Sequence, residues 1–326
     1  MLLQLSSQRY FSSTGGNGMD SHSSKCPGIK ASIKRYLNAD LSLIVHDPGA
    51  AARIKRRSRD LFRRVIFLEK AERLMHLARQ AILEADARGR AFPNGRIWWA
   101  GSLTEAKGRM KRHWQADPGG IYLCIAIYPA LLPENWQLYN NAAGLSICQV
   151  LREWGADAHI RWLNDILIHG KKVAGILAES VMTPRLGERY LLTGIGINVN
   201  QQAFPSHLES SSTSLFNETG RRWPVRDLGT HFLSRMALNF SILHDWEASA
   251  LSGDCLHKEC SPVIPAYRKL CRIEKRRIRY GRDLEMDSGQ PATALRIMED
   301  GSLKILMEDG TEATVNTGEI RYEDWG

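Results

Sequence analysis

The sequence predicts an α+β fold, in which a large part of mixed helices and strands is followed by a small all-β part. Up to about residue 272, apolar residues recur both at helical spacing and in short β-branched runs. From residue 276 onward the pattern changes to short strands, with hairpin dipeptides at Asp300-Gly301 and Asp309-Gly310. We therefore expect a sheet packed with helices, and then a small barrel of about five strands.

The individual elements can be predicted from apolar spacing and turn residues. Residues 59–87 predict one amphipathic helix, or a strand leading into one. The segments that follow are, in order, a strand at 97–100, a basic loop at 102–113, a buried strand at 121–128, a helix at 137–154, a hairpin at 161–180, a strand at 190–200, a helix at 230–249 and a helical piece after Pro265.

The composition is that of a globular protein. The chain has 326 residues and 43% hydrophobic content, enough for one large core and a small second domain. No apolar run reaches the length of about 18 residues that a membrane helix needs, so we expect no membrane partner. The six cysteines lack CxxC spacing, which predicts reduced thiols. Cys255, His257 and Cys260 lack the further ligand of a zinc site, so we predict no metal site.

The net charge of +9 points to acidic partners. Much of the charge lies in two basic runs, at residues 53–64 and 272–279. No zinc finger, helix-turn-helix or RNP-like motif accompanies them, so the simplest interpretation is two solvated faces, and we do not expect a nucleic-acid partner. A binding module that uses the basic arm and the small barrel is the alternative.

The N-terminal region differs from the rest of the chain. The first 30 residues are rich in Ser and Gly, which predicts disorder. Residues 1–13 contain serines, one arginine and no acid, a weak likeness to an organelle transit peptide. We expect a cytoplasmic location, with a mitochondrial one as the alternative.

The hairpin at residues 161–180 holds the most informative side chains. Strand alternation places Lys172 with Ala174 and Ile176, and Lys171 with Val173 and Gly175. One lysine therefore lies over an apolar surface, where it either extends its ammonium to water or meets an anion. Alternation alone does not choose between the two lysines.

The strand at 190–200 has one nearly bare face. Gly194, Gly196, Asn198 and Asn200 alternate with branched apolar residues. A glycine face suits either the floor of a small-molecule site or close packing against a helix.

Several segments, in order, resemble one known family. RWLND, GKKVAGILAE, GIGINVN, DPGGIYLCIAIYP and DGSLKILMEDGTEATVNTGEI are similar to motifs of the biotin protein ligases, within the biotin/lipoate A/B protein ligase family. The resemblance covers residues 65–319. It implies a class II aminoacyl-tRNA-synthetase-like mixed sheet with helices at 59–272 and an SH3-like β-barrel at 273–326, after a disordered or basic N-terminal extension at 1–58.

The resemblance also implies an activity. Such ligases use ATP and Mg²⁺ to convert biotin to biotinyl-5'-AMP, and then transfer biotin to a lysine of a biotin carboxyl carrier domain of a biotin-dependent carboxylase. A homodimer is a further expectation. Because carboxylate and phosphate repel each other, fixed cations are the main catalytic resource that this reaction needs.

The family motifs assign roles to individual residues. The implied catalytic residues are Lys172, Arg109 and Asp165. The loop TEAKGRMKRHW resembles the family's adenylate loop. The implied ATP and adenylate contacts are Asn164, Asn198, Lys107, Gly108, Arg112 and Trp114. The implied biotin contacts are Gly175, Ala174, Arg109 and Lys172.

The sequence departs from the family mainly at the biotin end. Ala106 and Lys111 replace loop glycines, and Leu103 replaces a glutamine. Residues 69–72 read EKAE where the family has an STN motif whose hydroxyls bind the ureido group. A lipoate or other acyl-acid ligase, or a non-catalytic relative acting as a binding module, is therefore the alternative function.

Overall fold

The computed structural model describes residues 45, 47–62, 64–253 and 261–323. The predicted disorder of the first 30 residues, the transit-like segment and the Cys255, His257 and Cys260 group lie outside the described residues. The elements, in chain order, are α1 (Pro48–Asp60), β1 (Arg64–Leu68), α2 (Leu74–Ala87), β2 (Arg96–Ala100), β3 (Ile121–Ile127), α3 (Gln137–Glu153), β4 (Ala158–Arg161), β5 (Asp165–Ile168), β6 (Lys171–Met182), β7 (Arg189–Ile197), α4 (Ser206–Glu209), α5 (Leu215–Thr219), α6 (Val225–Ser252), α7 (Ile264–Cys271), β8 (Arg277–Gly281), β9 (Gln290–Ile297), β10 (Leu303–Met307), β11 (Glu312–Val315) and β12 (Glu319–Tyr322).

The larger sheet has seven strands in the order β1-β2-β3-β7-β6-β5-β4. The β1–β2 pair is parallel and the other pairs are antiparallel, so the sheet is mixed, as predicted. Alternate residues of β3 belong to two cores. Ile121 and Leu123 pack with α3 and α6 on one face, while Tyr122 and Cys124 pack with α2 on the other. Both faces of the sheet are therefore covered.

The C-terminal strands form a separate antiparallel sheet in the order β11-β10-β9-β8-β12. The two predicted hairpins are confirmed: Gly301 and Gly310 adopt φ values of 86° and 83° in the turns that flank β10. Trp162 of the larger part donates from Nε1 to the Gly301 carbonyl at 3.1 Å. The small sheet thus packs next to the segment that carries the RWLND motif.

The predicted segments between residues 97 and 249 are confirmed, and α6 begins five residues earlier than predicted. For residues 59–87 the structure selects the alternative of a strand, β1, followed by a helix, α2. None of the helices in the described part of the chain combines the length and the apolar character that a membrane crossing requires.

Helix α1 begins inside the predicted N-terminal extension and continues past its boundary at residue 58. Asp47 caps its first turn and Pro48 occupies the first helical position, both common at helix starts. Ile54 is buried, and Arg53 donates to Asp245 of α6 at 2.7 Å. The basic run is therefore not wholly a solvated face, because part of it pairs with a carboxylate on a distant helix.

Candidate active site

A cavity of about 600 Å³ lies between the larger sheet, the basic loop and the C-terminal sheet. This volume is within the range of small-molecule sites. All the predicted site residues except Ala174 line it: Lys107, Gly108, Arg109, Arg112, Trp114, Asn164, Asp165, Lys172, Gly175 and Asn198. The structure therefore brings together residues from four separate parts of the sequence.

A β-bulge in strand β6 decides which way Lys172 faces. Ile166 pairs with Ala174 and Leu167 pairs with Lys172, so Val173 is an extra residue in β6. The extra residue breaks the alternation, and Lys172 reaches over Gly175: a Cβ added to Gly175 would lie 3.2 Å from Lys172 Nζ. The alternation-based grouping of Lys172 with Ala174 is therefore wrong, whereas Lys171 is exposed as expected.

Ala174 lies on the opposite face of β6. Its side chain is fully buried in the core that contains α3 and α6, and it does not line the cavity. Beyond the bulge, alternation holds again, so Gly175 faces the cavity and Ala174 faces away from it. The expected biotin contact at Ala174 thus has no side-chain surface in the cavity.

Lys172, Asp165 and Arg161 form a compact ion cluster. Lys172 Nζ lies 2.6 Å from Asp165 Oδ1, and Arg161 Nη2 donates to Asp165 Oδ2 at 2.6 Å. Burial alone would raise the pKa of Asp165, but the two cations outweigh it and lower this pKa to about 2. Asp165 is therefore a fixed anion at neutral pH and a poor proton acceptor.

The depressed pKa of Asp165 predicts an acid-sensitive contribution to stability. The folded pKa lies below its usual 3.8, so the contribution is complete above about pH 4 and is lost as the pH falls toward 2. We expect Asp165→Asn to lower the free energy of unfolding by about 2 kcal/mol at neutral pH. In urea denaturation at a series of pH values, the difference from wild type should shrink below about pH 4. A difference independent of pH would contradict this.

The glycine face of β7 is the cavity floor, and Trp114 lies on it. A Cβ added to Gly196 would lie 2.6 Å from Trp114 Cε2, closer than carbon atoms approach. Lys172 Nζ is 5.3 Å from the centre of the same indole ring, a cation–π distance. The bare face predicted from the alternation of glycines and asparagines therefore accommodates an indole ring, next to the lysine.

Replacing Gly196 by alanine should strain this floor. We expect Gly196→Ala to cost about 1–3 kcal/mol of unfolding free energy, since Trp114 has to shift. Gly144→Ala in α3 is the matched control, because its Cβ would meet its nearest neighbour, Ile176, at an ordinary 3.5 Å. Urea denaturation compares the two. Equal stability of both variants would mean that Trp114 leaves the floor at no cost.

Arg109 joins the basic loop to two other parts of the protein. Its Nη1 donates to Asn164 Oδ1 at 3.1 Å and to the Gly318 carbonyl of the C-terminal part at 2.8 Å. Asn164 in turn donates from Nδ2 to the Ile176 carbonyl at 3.0 Å. The predicted catalytic arginine is thus positioned beside the predicted nucleotide-binding asparagine.

Arg112 anchors the loop to the C-terminal part. It donates to both oxygens of Glu319, at 2.8 and 2.9 Å, and also contacts Asp283 and Glu285. Burial alone would lower the pKa of Arg112, but hydrogen bonds to Glu319 and Asp283 raise it. The predicted ATP contact is therefore engaged by carboxylates, while its neighbour Lys107 is exposed.

Two buried polar atoms of the cavity residues lack a partner in the described part of the chain. Asn198 donates from Nδ2 to the Thr213 carbonyl at 3.0 Å, but its Oδ1 is unpaired. The Nε1 of Trp114 is likewise buried and unpaired. Since buried polar groups are nearly always satisfied, both atoms are suited to hydrogen-bond a ligand.

The cavity also contains residues that the sequence did not identify as site residues. Arg161 stands at the start of RWLND, four positions before Asp165. This proximity in the sequence could have indicated that the two side chains form an ion pair. Arg73 immediately precedes α2 and follows residues 69–72, where the sequence lacks the family's hydroxyls. The remaining unpredicted members include Met75, Tyr122, Phe204, His207, Leu208, Ser211 and Ser212. Residues 204–212 carry no motif that would have indicated them.

The comparison with protein families matches residues 82–200 to the model described as the Biotin/lipoate A/B protein ligase family. This part of the chain is similar to that family. The matched segment contains the ion cluster, the cavity floor and the basic loop, all of which contribute residues to the lining of the cavity.

Curated relatives match different lengths of the chain. The bifunctional ligase/repressor BirA of Bacillus spizizenii is 37% identical over 134 residues, 40% of this chain and 41% of that protein. The biotin--[acetyl-CoA-carboxylase] ligase of Mycobacterium tuberculosis is 27% identical over 248 residues, 74% of this chain and 84% of that protein. The first of these matches thus spans about two fifths of the relative.

A solved structure supports the fold of this chain. The biotin protein ligase from Aquifex aeolicus in complex with biotin and ATP has a TM-score of 0.59 and 21% identity, and the match covers 79% of this chain and 98% of that one. At this identity the likeness shows the fold, a mixed sheet with helices and a separate antiparallel sheet at the C-terminus.

Proposed function

We propose that this chain is an ATP-dependent ligase that adenylates biotin to biotinyl-5'-AMP and transfers biotin to a lysine of a biotin carboxyl carrier domain. The observation that carries the proposal is Lys172, whose amine is brought by the bulge at Val173 onto the glycine floor of the cavity, next to Asp165. The names of two similar proteins, a biotin--[acetyl-CoA-carboxylase] ligase and a biotin protein ligase, support the choice of acid.

The first half-reaction joins two anions. A carboxylate oxygen of biotin attacks the α-phosphorus of ATP, and pyrophosphate leaves. Lys172 and Arg109 are cations that line the cavity, one from β6 and the other from the basic loop. Fixed positive charge stabilises the negative charge that gathers around phosphorus in the transition state, without any reorganisation of water.

The nucleotide is proposed to lie between the loop and the asparagines. Asn164 and Asn198 line the cavity, and the free Oδ1 of Asn198 is an acceptor that fits an N–H donor of a ligand. Trp114 offers an indole face and an unpaired N–H. The basic loop contributes Lys107, Gly108 and Arg112 to this side of the cavity. Arg112 acts indirectly, because its bonds to Glu319 fix the position of the loop.

We treat Mg²⁺ as part of the MgATP substrate. In the described residues no three His, Cys, Asp or Glu side chains come together as a metal site. Asp165, the carboxylate nearest Lys172, is already held by two cations. These donors do not fit a resident metal ion, so no step here depends on one.

The second half-reaction is the attack of an amine on the activated acyl group. The acceptor lysine's nitrogen bonds to the acyl carbon, AMP leaves, and a proton is released. Because Asp165 is ionised, we assign it the role of attracting the acceptor's ammonium and fixing Lys172, not that of a general base. The acceptor domain is proposed to be that of a biotin-dependent carboxylase.

The division into domains, the oligomeric state and the location are also proposals. The domains are an N-terminal extension at 1–58, a ligase domain at 59–272 and an SH3-like domain at 273–326, with the α1 helix as an ordered part of the extension. A homodimer and a cytoplasmic or mitochondrial location stay predictions.

The decisive experiment is ATP–pyrophosphate exchange with MgATP and a choice of acids. Exchange that requires biotin would support the proposed ligase. Exchange driven by lipoate or octanoate but not by biotin would instead indicate a lipoate or other acyl-acid ligase. The absence of exchange with every acid, together with salt-dependent binding of nucleic acid, would favour the binding module instead.

A further inference from the structure

The cavity extends away from Lys172 along strand β6 toward a second cation. Leu177, Gly194 and Met75 line its middle, and a Cβ added to Gly194 would lie 2.8 Å from Met75 Sδ. Arg73 lines the same cavity and contacts Glu179, four residues along β6 from Gly175. Four residues of extended strand span about 13 Å. This part of the cavity, which would hold the carboxylic acid substrate, is therefore apolar in its middle and positively charged at both ends.

The guanidinium of Arg73 is held in place by a carboxylate outside the cavity lining. Arg73 Nη2 donates to Glu179 Oε1 at 3.3 Å, and Arg79 Nη2 donates to Glu179 Oε2 at 2.9 Å. The Arg73 side chain is 34% exposed, and Glu179 provides its side-chain hydrogen bond within the described residues. A guanidinium carries five N–H donors, so Arg73 has donors left for a ligand.

We propose that Arg73 determines substrate specificity by donating a hydrogen bond to an acceptor group at the far end of the acid. This inference rests on the proposed adenylating function and specifies its substrate class, a carboxylic acid with an apolar middle and a carbonyl oxygen at its distal end. The ureido carbonyl of biotin meets this requirement. Glu179 and Arg79 are positioning residues, because they act through Arg73 or the shared carboxylate.

A plain alkyl acid fits this end of the cavity poorly. Its terminal methyl group would displace water from the Arg73 guanidinium and return no acceptor, and leaving a charged donor unpaired is costly. Sites built around a hydrogen bond reject analogues that lack the partner more strongly than apolar pockets reject a change of size. Residues 69–72, which lack the family's hydroxyls, do not line the cavity, so Arg73 is the polar side chain available from this segment.

The test compares biotin and octanoate in ATP–pyrophosphate exchange with wild type, Arg73→Leu and Arg73→Gln. We expect wild type to prefer biotin. Arg73→Leu should raise the KM for biotin about 10- to 100-fold with kcat nearly unchanged, because the reacting carboxylate is at the other end. The KM for octanoate should stay the same or fall. Glu179→Gln should raise the biotin KM less than Arg73→Leu does.

Arg88→Leu is the matched control, an exposed arginine just after the same helix that lies 3.8 Å from Glu84. It should leave both acids unaffected. A change in the biotin-to-octanoate ratio is a readout that general destabilisation does not produce. An unchanged ratio in folded Arg73→Leu and Arg73→Gln would overturn the inference and leave the ligase function standing. Wild-type exchange with neither acid would overturn both.

Discussion

Replacing Lys172 by alanine is expected to lower biotin-dependent ATP–pyrophosphate exchange by at least about 100-fold. The variant removes the cation that lies over the cavity floor, so the carboxylate and the α-phosphate meet with less compensation for their repulsion. Measurement of kcat at saturating biotin and MgATP separates this loss from weaker binding. Circular dichroism checks that the variant is folded.

Lys171→Ala is the matched control for this experiment. Lys171 is the adjacent residue, it carries the same charge, and its Nζ lies 3.4 Å from the Glu209 carbonyl at the surface. We expect its activity to stay within a few-fold of wild type. Exchange in folded Lys172→Ala that equals that of Lys171→Ala would remove Lys172 from the mechanism.

Replacing Arg112 by methionine is the second change with a large expected effect. Arg112 Nη1 and Nη2 bind both oxygens of Glu319, and Leu284 N donates to the same carboxylate at 2.9 Å. Loss of this charged pair should cost about 2–3 kcal/mol of unfolding free energy. It should also free the basic loop, so that the adenylate dissociates about tenfold faster or more. Stopped-flow release of labelled biotinyl-AMP measures this rate.

Arg277→Met is the control for the Arg112 experiment. Arg277 is 69% exposed and lies 3.4 Å from Glu323, so its ion pair should contribute little. A double-mutant cycle with Glu319→Gln isolates the Arg112–Glu319 coupling. If Arg112→Met released the adenylate as slowly as Arg277→Met, the loop would be held closed by something other than the C-terminal part.

The sequence predicted the elements better than their long-range contacts. The strands around Gly194 and Gly196 and the hairpins at Gly301 and Gly310 follow from local patterns, because alternation and turn residues act over a few positions. The carboxylate that binds Arg112 is 207 residues away along the chain. No local pattern indicates such a pair, and the resemblance had assigned Arg112 to the nucleotide.

Two errors have specific physical causes. Alternation placed Lys172 on the wrong face, because it assumes a regular strand. The bulge depends on pairing with the neighbouring strand β5 and cannot be recognised from the residue types of β6. The α1 helix was not predicted, because Ile54 is one of few apolar residues in a run of arginines and lysines that indicates exposure. Its pairing partner, Asp245, lies 192 residues further along the chain than Arg53.

The bulge in β6 makes strand pairing as important as residue type in this hairpin. Lys172 and Gly175 are three positions apart, so regular pleating of the same residues would put them on opposite faces and send the amine into the apolar core. Transfer of the hairpin to another scaffold would therefore have to preserve the strand pairing that leaves Val173 as the extra residue. The Val173 side chain is fully buried and does not line the cavity, although the orientation of the lysine depends on Val173 being the bulged residue.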